Sequence, residues 1–543
     1  MNLEALAQVD PSLAERLCWA VVGGNVVRID GELQYQAQQS RFPMGIPSAE
    51  CESLVANALE GADGRALLVF GLGCGELLLC GLASGASVVA WDNDLWLFRL
   101  LLGTHDLSDQ LRSGQLRLAL GTDLLALLDQ DMVRVDHPLF ERVYATQAKL
   151  PATGLGTQRA FLCDGGLFVA SMQRALESEG WSVWTADVER LSVEELEHSA
   201  KAVRPQIVVS INYRVGLAEF AGDIGARLIV WEIDPTTCRP TPPTCDTRHA
   251  SIFTYREANA QLFRDVGYAD VRFLPLAADT RLRRPLTLTP AEQDRYAAPI
   301  SFVGSSMIDS ARHNGMRFAA LYSGWRQVGP PGPSVEDLTK LVLAAQGQDF
   351  ARWLVPELLD RHAPGFIEWC RAQHAGEDPT MLLGELAASE KRLAWISSLA
   401  SHNIQVWGDV EWERSGAHYR GPATHHHDLT RIFNGSTINL DIGRIYQSDI
   451  VTMRVFDVLA CAGFALVEHS DGVEDLFRVG KELETYRDQA ELEEKVAWYL
   501  DHPEAARAIG ARGRSAVVEN HAFDMRVRSI LAAAGVESEQ DSR

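Results

Sequence analysis

The sequence predicts an α/β chain of three successive doubly wound parallel sheets, and three observations predict it. Short apolar runs of strand length recur along the chain and alternate with stretches of helical period. The opening run of each series ends in a turn carrying glycine or aspartate, at Gly71, Asp164 and Gly304. The length, 543 residues, exceeds what one hydrophobic core holds, so roughly two to four domains are expected.

The first series occupies residues 1–150. Ala66–Phe70 reads as a buried strand, followed directly by Gly71-Leu-Gly73-Cys-Gly75 and an apolar helical stretch. A second strand, Ala86–Asp92, ends in an acid, and a third, Leu116–Leu120, runs into Gly121 and Asp123. Strand, glycine turn, helix, strand and acid make the opening half of a Rossmann-like sheet. Its glycines allow a tight turn and close backbone approach, and Asp92 or Asp94 is placed to hold ribose hydroxyls. Gly71, Gly73, Gly75 and Asp92 therefore form a possible second nucleotide site. The pattern looks like that of an S-adenosylmethionine methyltransferase, but no Asn-Pro-Pro-Tyr type loop follows. A sheet that has kept its shape without the chemistry and a live adenosyl or nucleotide site both remain open.

The second series, residues 158–295, has strands at Ala160–Cys163, Trp181–Thr185, Gln206–Ile211, Ala226–Trp231, Ser251–Thr254 and Val271–Leu274. Asp164-Gly-Gly166 turns the first strand into an amphipathic helix that Gly180 closes. The third series, residues 296–531, opens at Pro299–Gly304. A largely helical insertion at about 312–401 interrupts it, and it resumes with Ile404–Gly408, Ser436–Leu440 and Phe464–Glu468. The polar tail 537–543 is expected to be disordered.

Composition narrows the function. The formal charge of −23, with no long basic run, argues against nucleic acid as a partner, while a small anion remains acceptable to backbone amides and a few arginines. The nine cysteines lack metal-site spacing, and their odd count fits free thiols in a reducing cytoplasm. MNLEALAQVD lacks the basic flank and apolar core of a signal peptide, and no apolar stretch reaches the roughly 18–20 residues of a membrane helix. A soluble cytoplasmic protein is expected. Three adjacent histidines, His425-His-His427, cannot all point at one ion from a regular element, so no metal site is expected there.

The order of motifs carries a resemblance. Ser301-Phe-Val-Gly-Ser305, Val406-Trp-Gly-Asp409, Tyr419-Arg-Gly421 and Arg454-Val-Phe-Asp-Val-Leu-Ala-Cys-Ala-Gly463 resemble the CgeB-like (spore maturation protein type) glycosyltransferases. So do Gly472-Val-Glu-Asp-Leu-Phe477 and Trp231-Glu-Ile-Asp-Pro235. The resemblance covers about residues 161–531 and implies that the last two sheets form a GT-B pair. The preceding sheet would hold the acceptor, and the C-terminal one a UDP-, GDP- or dTDP-linked sugar. The acceptor would be a hydroxyl of a protein, lipid or glycan. Asp457 stands where related transferases carry a glutamate that accepts both ribose hydroxyls, and the Ala-Cys-Ala-Gly463 stretch has one residue more than the commoner pattern. Gly304 and Ser305 are placed to offer backbone amides to the diphosphate, Arg454 and more weakly Arg312 to offer cations, and Gly472 to admit phosphate or sugar. Gly408 and Gly421 would face the base. Asp164 and Asp234 are the candidate general bases, and a retaining reaction would need neither. No Asp-x-Asp motif stands at a suitable strand end, so neither metal nor other cofactor is expected to be required.

Overall fold

The computed structural model describes residues 1–19, 25–37, 40–150, 154–234, 240–350, 352–374, 376–447 and 449–536. The tail 537–543, expected to be disordered, lies outside them. The chain divides into two compact units, Met1–Ile211 with Glu219–Leu228, and Asn212–Ala218 with the residues from Ile229 onward.

A three-stranded antiparallel ribbon comes first, β1 (Val26–Ile29), β2 (Glu32–Ala37) and β3 (Ser40–Pro43). The first parallel sheet follows, with β4 (Ala66–Phe70), β5 (Val88–Asp92), β6 (Leu116–Leu120) and β7 (Met132–Asp136) in the order β6-β5-β4-β7. That is the 3-2-1-4 half of a Rossmann sheet. All five residues of β5 are buried, as expected of a strand covered on both faces by helices.

The second sheet comprises β8 (Arg159–Cys163), β9 (Ser182–Ala186), β10 (Ile207–Ile211), β11 (Arg227–Glu232), β12 (Ala250–Thr254) and β13 (Asp270–Phe273). Its order is β13-β12-β11-β10-β8-β9. The third has β14 (Ala298–Val303), β15 (Ile404–Trp407), β16 (His418–Tyr419), β17 (Ser436–Asp441), β18 (Ala465–Glu468) and β19 (Glu484–Tyr486) in the order β16-β15-β14-β17-β18-β19. All its pairings are parallel. In chain order this is 3-2-1-4-5-6, so the connection reverses direction between β14 and β17, where such sheets bind ligands at the strands' carboxyl ends.

The insertion between β14 and β15 is helical from Ile308 to Ser398, starting a little before and ending a little before the expected bounds. Its last helix, Pro379–Ser398, is capped by the Asp378 carboxylate on the Thr380 amide. Its first half contributes Leu382 and Leu383 to a core with Phe318, Tyr322, Trp325 and Phe366. Its second half packs Trp395 and Ile396 onto Ile300, Phe302 and Ile404 of the third sheet. The insertion is therefore joined to the sheet by one continuous helix.

Candidate functional site

The reversal point of the third sheet collects charge. β17 ends at Asp441, whose carboxylate is 4% exposed, accepts from the Thr452 hydroxyl at 2.8 Å and pairs with Arg454. Arg454 stands in the first turn of helix Met453–Ala460, donates its Nε to the Val303 carbonyl at 2.7 Å and lies over the Phe302 ring at 4.9 Å. A Cβ added at Gly304 would fall 2.8 Å from this guanidinium, so glycine is what lets Arg454 lie across the end of β14. Arg392, from helix Pro379–Ser398, reaches the same place. It donates to the Ser305 carbonyl at 2.9 Å and the Ile442 carbonyl at 3.2 Å, and its Nε has no acceptor among the described residues. Burial, then the nearby Arg454 and Arg444 guanidiniums, bring its pKa down to about 10.

Arg444 donates to the Tyr446 hydroxyl at 2.8 Å and pairs with Glu385 at 3.2 Å, and Tyr446 also donates to Glu385. Lys391 is buried against Glu468, whose other oxygen accepts from the Gly443 amide at 3.0 Å. Four cations (Lys391, Arg392, Arg444, Arg454) thus face three carboxylates (Glu385, Asp441, Glu468), and among the described residues Arg392 makes no ion pair with a carboxylate. A cavity of about 150 Å³ opens over Asp441, Gly443, Arg444 and Glu468, with His469 and Arg487 at its walls. Arg392 does not line it, but holds the carbonyl of the residue before Gly443.

The loop after β14 is arranged otherwise than the sequence predicts. The Gly304 amide donates to the Trp407 carbonyl. The Asp409 carboxylate takes the Ser306 amide at 2.8 Å and the hydroxyls of Ser305 at 2.9 Å and Ser306 at 2.6 Å. These bonds hold the Asp409 carboxyl below its usual range, against burial, which acts to raise it. The chain's own anion therefore holds the two serine hydroxyls and the Ser306 amide, while the Gly304 amide is taken by the Trp407 carbonyl. Gly408 is packed so that a Cβ would lie 2.2 Å from the Gly304 carbonyl oxygen, and its amide donates to the Gly421 carbonyl. Gly421 itself is open, at φ +92°. Gly472 sits in helix Asp471–Leu476, where a Cβ would meet the Asp449 carbonyl at 2.8 Å.

Asp457 lies in helix Met453–Ala460 but is 3% exposed. Its Oδ2 is 2.9 Å from the Nε of Arg283, itself 1% exposed, an ion pair whose angle falls outside hydrogen-bonding geometry. Arg283 also reaches Thr430 and His425, so His425 is tied into this buried network. Arg312 is a surface residue paired with Asp309 at 2.6 Å.

In the second sheet, Asp234 follows β11, is exposed, and accepts from the Asn212 amide group at 2.7 Å. Its neighbour Glu232 is buried and accepts from the Tyr213 amide. Burial raises the Tyr255 hydroxyl pKa; Arg256 and Arg444 act to lower it, and Asp234 and Glu232 to raise it. Tyr255 accepts from Gln447, a cavity residue, at 3.1 Å, and Arg256 pairs with Asp449 at 3.0 Å. Asp164 ends β8 in the other compact unit, exposed, with its Oδ1 accepting from the Gly165 amide at 2.7 Å.

In the first sheet Gly71, Gly73 and Gly75 have φ of +85°, +58° and +96°, the left-handed turn expected of them. Asp92 is fully buried, and burial raises its pKa to about 7.

Sequence reasoning missed Arg392, Arg444, Asp441 and Tyr255. The signals were present. Glu385, Ser389 and Arg392 stand at helical spacing i, i+4, i+7 amid apolar residues, and Ser389 and Arg392 both reach the loop after β14. Asp441-Ile-Gly-Arg444 directly follows a buried strand.

Among the described residues no group of three or more His, Cys, Asp or Glu is placed to hold a metal ion, and no helix is long and apolar enough to cross a membrane. The eight described cysteines are free. Residues 390–532 match a family model described as glycosyl transferase-like. No curated protein matches. Solved structures that resemble the chain include sucrose-phosphate synthase from Thermosynechococcus elongatus, at 10% identity over 69% of this chain and 97% of that one, TM-score 0.38. Others are HepE of Anabaena in complex with UDP and glucose (9%, 70% and 100%, 0.39) and the β-glucosyltransferase of T4 phage (10%, 70% and 100%, 0.39).

Proposed function

We propose that this chain is a CgeB-like glycosyltransferase of the GT-B kind. It takes a sugar from a UDP-, GDP- or dTDP-linked donor and passes it to a hydroxyl of a protein, lipid or glycan, in the cytoplasm. The observation that carries the reading is the excess of cationic over carboxylate groups at the reversal point of the third sheet, in a chain whose formal charge is −23. A buried arginine with no carboxylate partner is costly unless an anion completes it. A diphosphate in the cavity beside Arg444 answers that excess of charge without touching Arg392, and the glycosyl transferase-like match over residues 390–532 includes Lys391, Arg392, Arg444 and Arg454.

The chemistry follows from the charges. As the glycosidic bond to the donor breaks, negative charge grows on the departing diphosphate, and fixed guanidiniums stabilise it without reorganising. They do this without a metal ion. In an inverting displacement Asp234, exposed just after β11, takes the acceptor proton. Asp164 is the second candidate. In a retaining reaction the leaving phosphate takes that proton and neither carboxylate is needed. The Asp441–Arg454 and Glu385–Arg444 pairs hold the two outer arginines in place.

The test is thermal unfolding of the full chain with UDP, GDP, dTDP and CDP. Ligand at a hundredfold excess over its dissociation constant stabilises the native state by about 2.7 kcal/mol. One nucleoside diphosphate is expected to raise the transition, and Arg392→Gln to abolish the effect. Silence from all four, or a shift that survives Arg392→Gln unchanged, refutes the assignment.

A further inference from the structure

The glycine turn of the first sheet is built as a ligand cradle, and the chain fills it. A dinucleotide or adenosyl group needs bare backbone at the second glycine and a free carboxylate at the end of the next strand. A Cβ at Gly71 would lie 2.4 Å from the Cβ of Phe140, and one at Gly73 would lie 2.3 Å from Nε2 of His137. The space those glycines leave is held by the segment after β7. His137 is 2% exposed and is fixed there by a 3.0 Å hydrogen bond to the Met44 carbonyl. Asp92 has no exposed surface. Its Oδ2 accepts from the Leu72 amide at 2.7 Å, and its Oδ1 from the Asp94 amide at 2.8 Å and the Tyr144 hydroxyl at 2.7 Å. Asp94 is likewise occupied, capping the next helix at the Trp96 amide and accepting from the Tyr35 hydroxyl at 3.0 Å. Phe140, Tyr144, Phe70 and Trp91 stack over the same ground. The residues present do not fit an adenosyl cofactor.

The carboxyl end of β6 in this sheet is fastened as well. Arg16, 3% exposed, places NH1 2.8 Å from Glu195 and NH2 2.8 Å from Asp123. Glu195 is buried on helix Val193–Val203, between β9 and β10, and Asp123 follows β6. His198 of that helix closes the ring on Asp123 at 2.7 Å, and Ser199 donates to Glu195 at 3.1 Å. At the rim Arg190 meets Asn25 of the ribbon at 2.6 Å. Removing one member of such a buried ionic set leaves another uncompensated.

We infer that the N-terminal sheet takes no dinucleotide or adenosyl ligand and acts as a brace, fixing helix Val193–Val203 of the second sheet through the Arg16–Glu195–Asp123–His198 ring. The sealed cradle and the clamp both lie within the first unit.

Two measurements on the full chain test it. In the first, S-adenosylmethionine, NAD and ATP are titrated at millimolar concentration. None is expected to stabilise the first unit's transition, and a saturable shift lost in Gly73→Val overturns the sealed cradle. In the second, hydrogen exchange is compared between the parent chain and the variants Arg16→Met and Glu195→Gln. Amides of 193–203 are expected to exchange about tenfold faster or more in Glu195→Gln, with those of helix Val169–Ser178 unchanged. Should Arg16→Met fail to fold, Glu195→Gln alone decides, since it preserves shape and one acceptor. Unchanged protection at 193–203 in that variant overturns the brace.

Discussion

Asp457 shows how one carboxylate's role depends on its neighbour. Its place in the sequence suggested a ribose contact, yet in the structure Arg283 takes it, and both are almost wholly buried. Asp457→Asn leaves that guanidinium without its counter-charge, so the second unit is expected to lose about 3–5 kcal/mol, read from urea unfolding. A ribose-binding carboxylate predicts the reverse pattern, with stability kept and nucleoside diphosphate affinity lowered. Asp409 belongs to the same class of surprise. Neither partner could be read from the sequence, because Arg283 lies 174 positions from Asp457 and Ser306 lies 103 from Asp409.

At the scale of elements, most of the fold was legible. β4 is an unbroken apolar run, and β6 and β10 are broken only by Arg117 and Ser210, because helices cover both faces of each sheet, and such runs mark themselves. What escaped was short or mixed. β7 carries Arg134 at its centre, and β19 has only three residues. The added residue before Gly463 does have a structural counterpart, since Ala462 takes φ +59° just past the helix Met453–Ala460, a place that glycine usually fills. The site was less legible than the sheets. Arg392 lies in a segment read as an interruption, and only folding places that helix on the ends of β14 and β17. The contact between β14 and β15 is equally unforgiving. Gly408→Ala drives a Cβ toward the Gly304 carbonyl, which the Trp412 indole also holds at 2.8 Å. A loss of about 1–3 kcal/mol in stability is expected in urea titration, with weaker nucleotide binding as the strand ends part.

Across the whole molecule, acid should act unequally on the two units. Burial lowers the pKa of His425 and His521 in the second unit to about 4; nearby Arg283 and Arg526 add to this, while Asp457, Asp279 and Glu482 oppose it. The unfolded chain takes up these protons near pH 6.5, which the folded chain refuses. Their contribution is therefore complete above about pH 6.5 and is lost as pH falls through 4. In the first unit His137, also lowered to about 4 by burial, does the same. Asp92, raised to about 7, has the opposite sign, because the folded unit keeps a proton that the unfolded chain releases. From pH 7 to 5, calorimetry should show the second unit weakened by a few kcal/mol and the first little changed. Asp92→Asn should make the first unit acid-sensitive as well.

The helix Pro379–Ser398 has a practical consequence for anyone who would cut the gene into pieces. The stretch that matches the glycosyl transferase-like family begins at 390, inside that helix, between Glu385 and Arg392. It also omits β14, the strand between β15 and β17. A fragment trimmed to the recognisable stretch would hold all four clustered cations but not Glu385, the partner of Arg444, and both flanks of a sheet with no middle. The stretch with a recognisable match is thus smaller than the part that can fold, and a workable boundary lies upstream of Ala298.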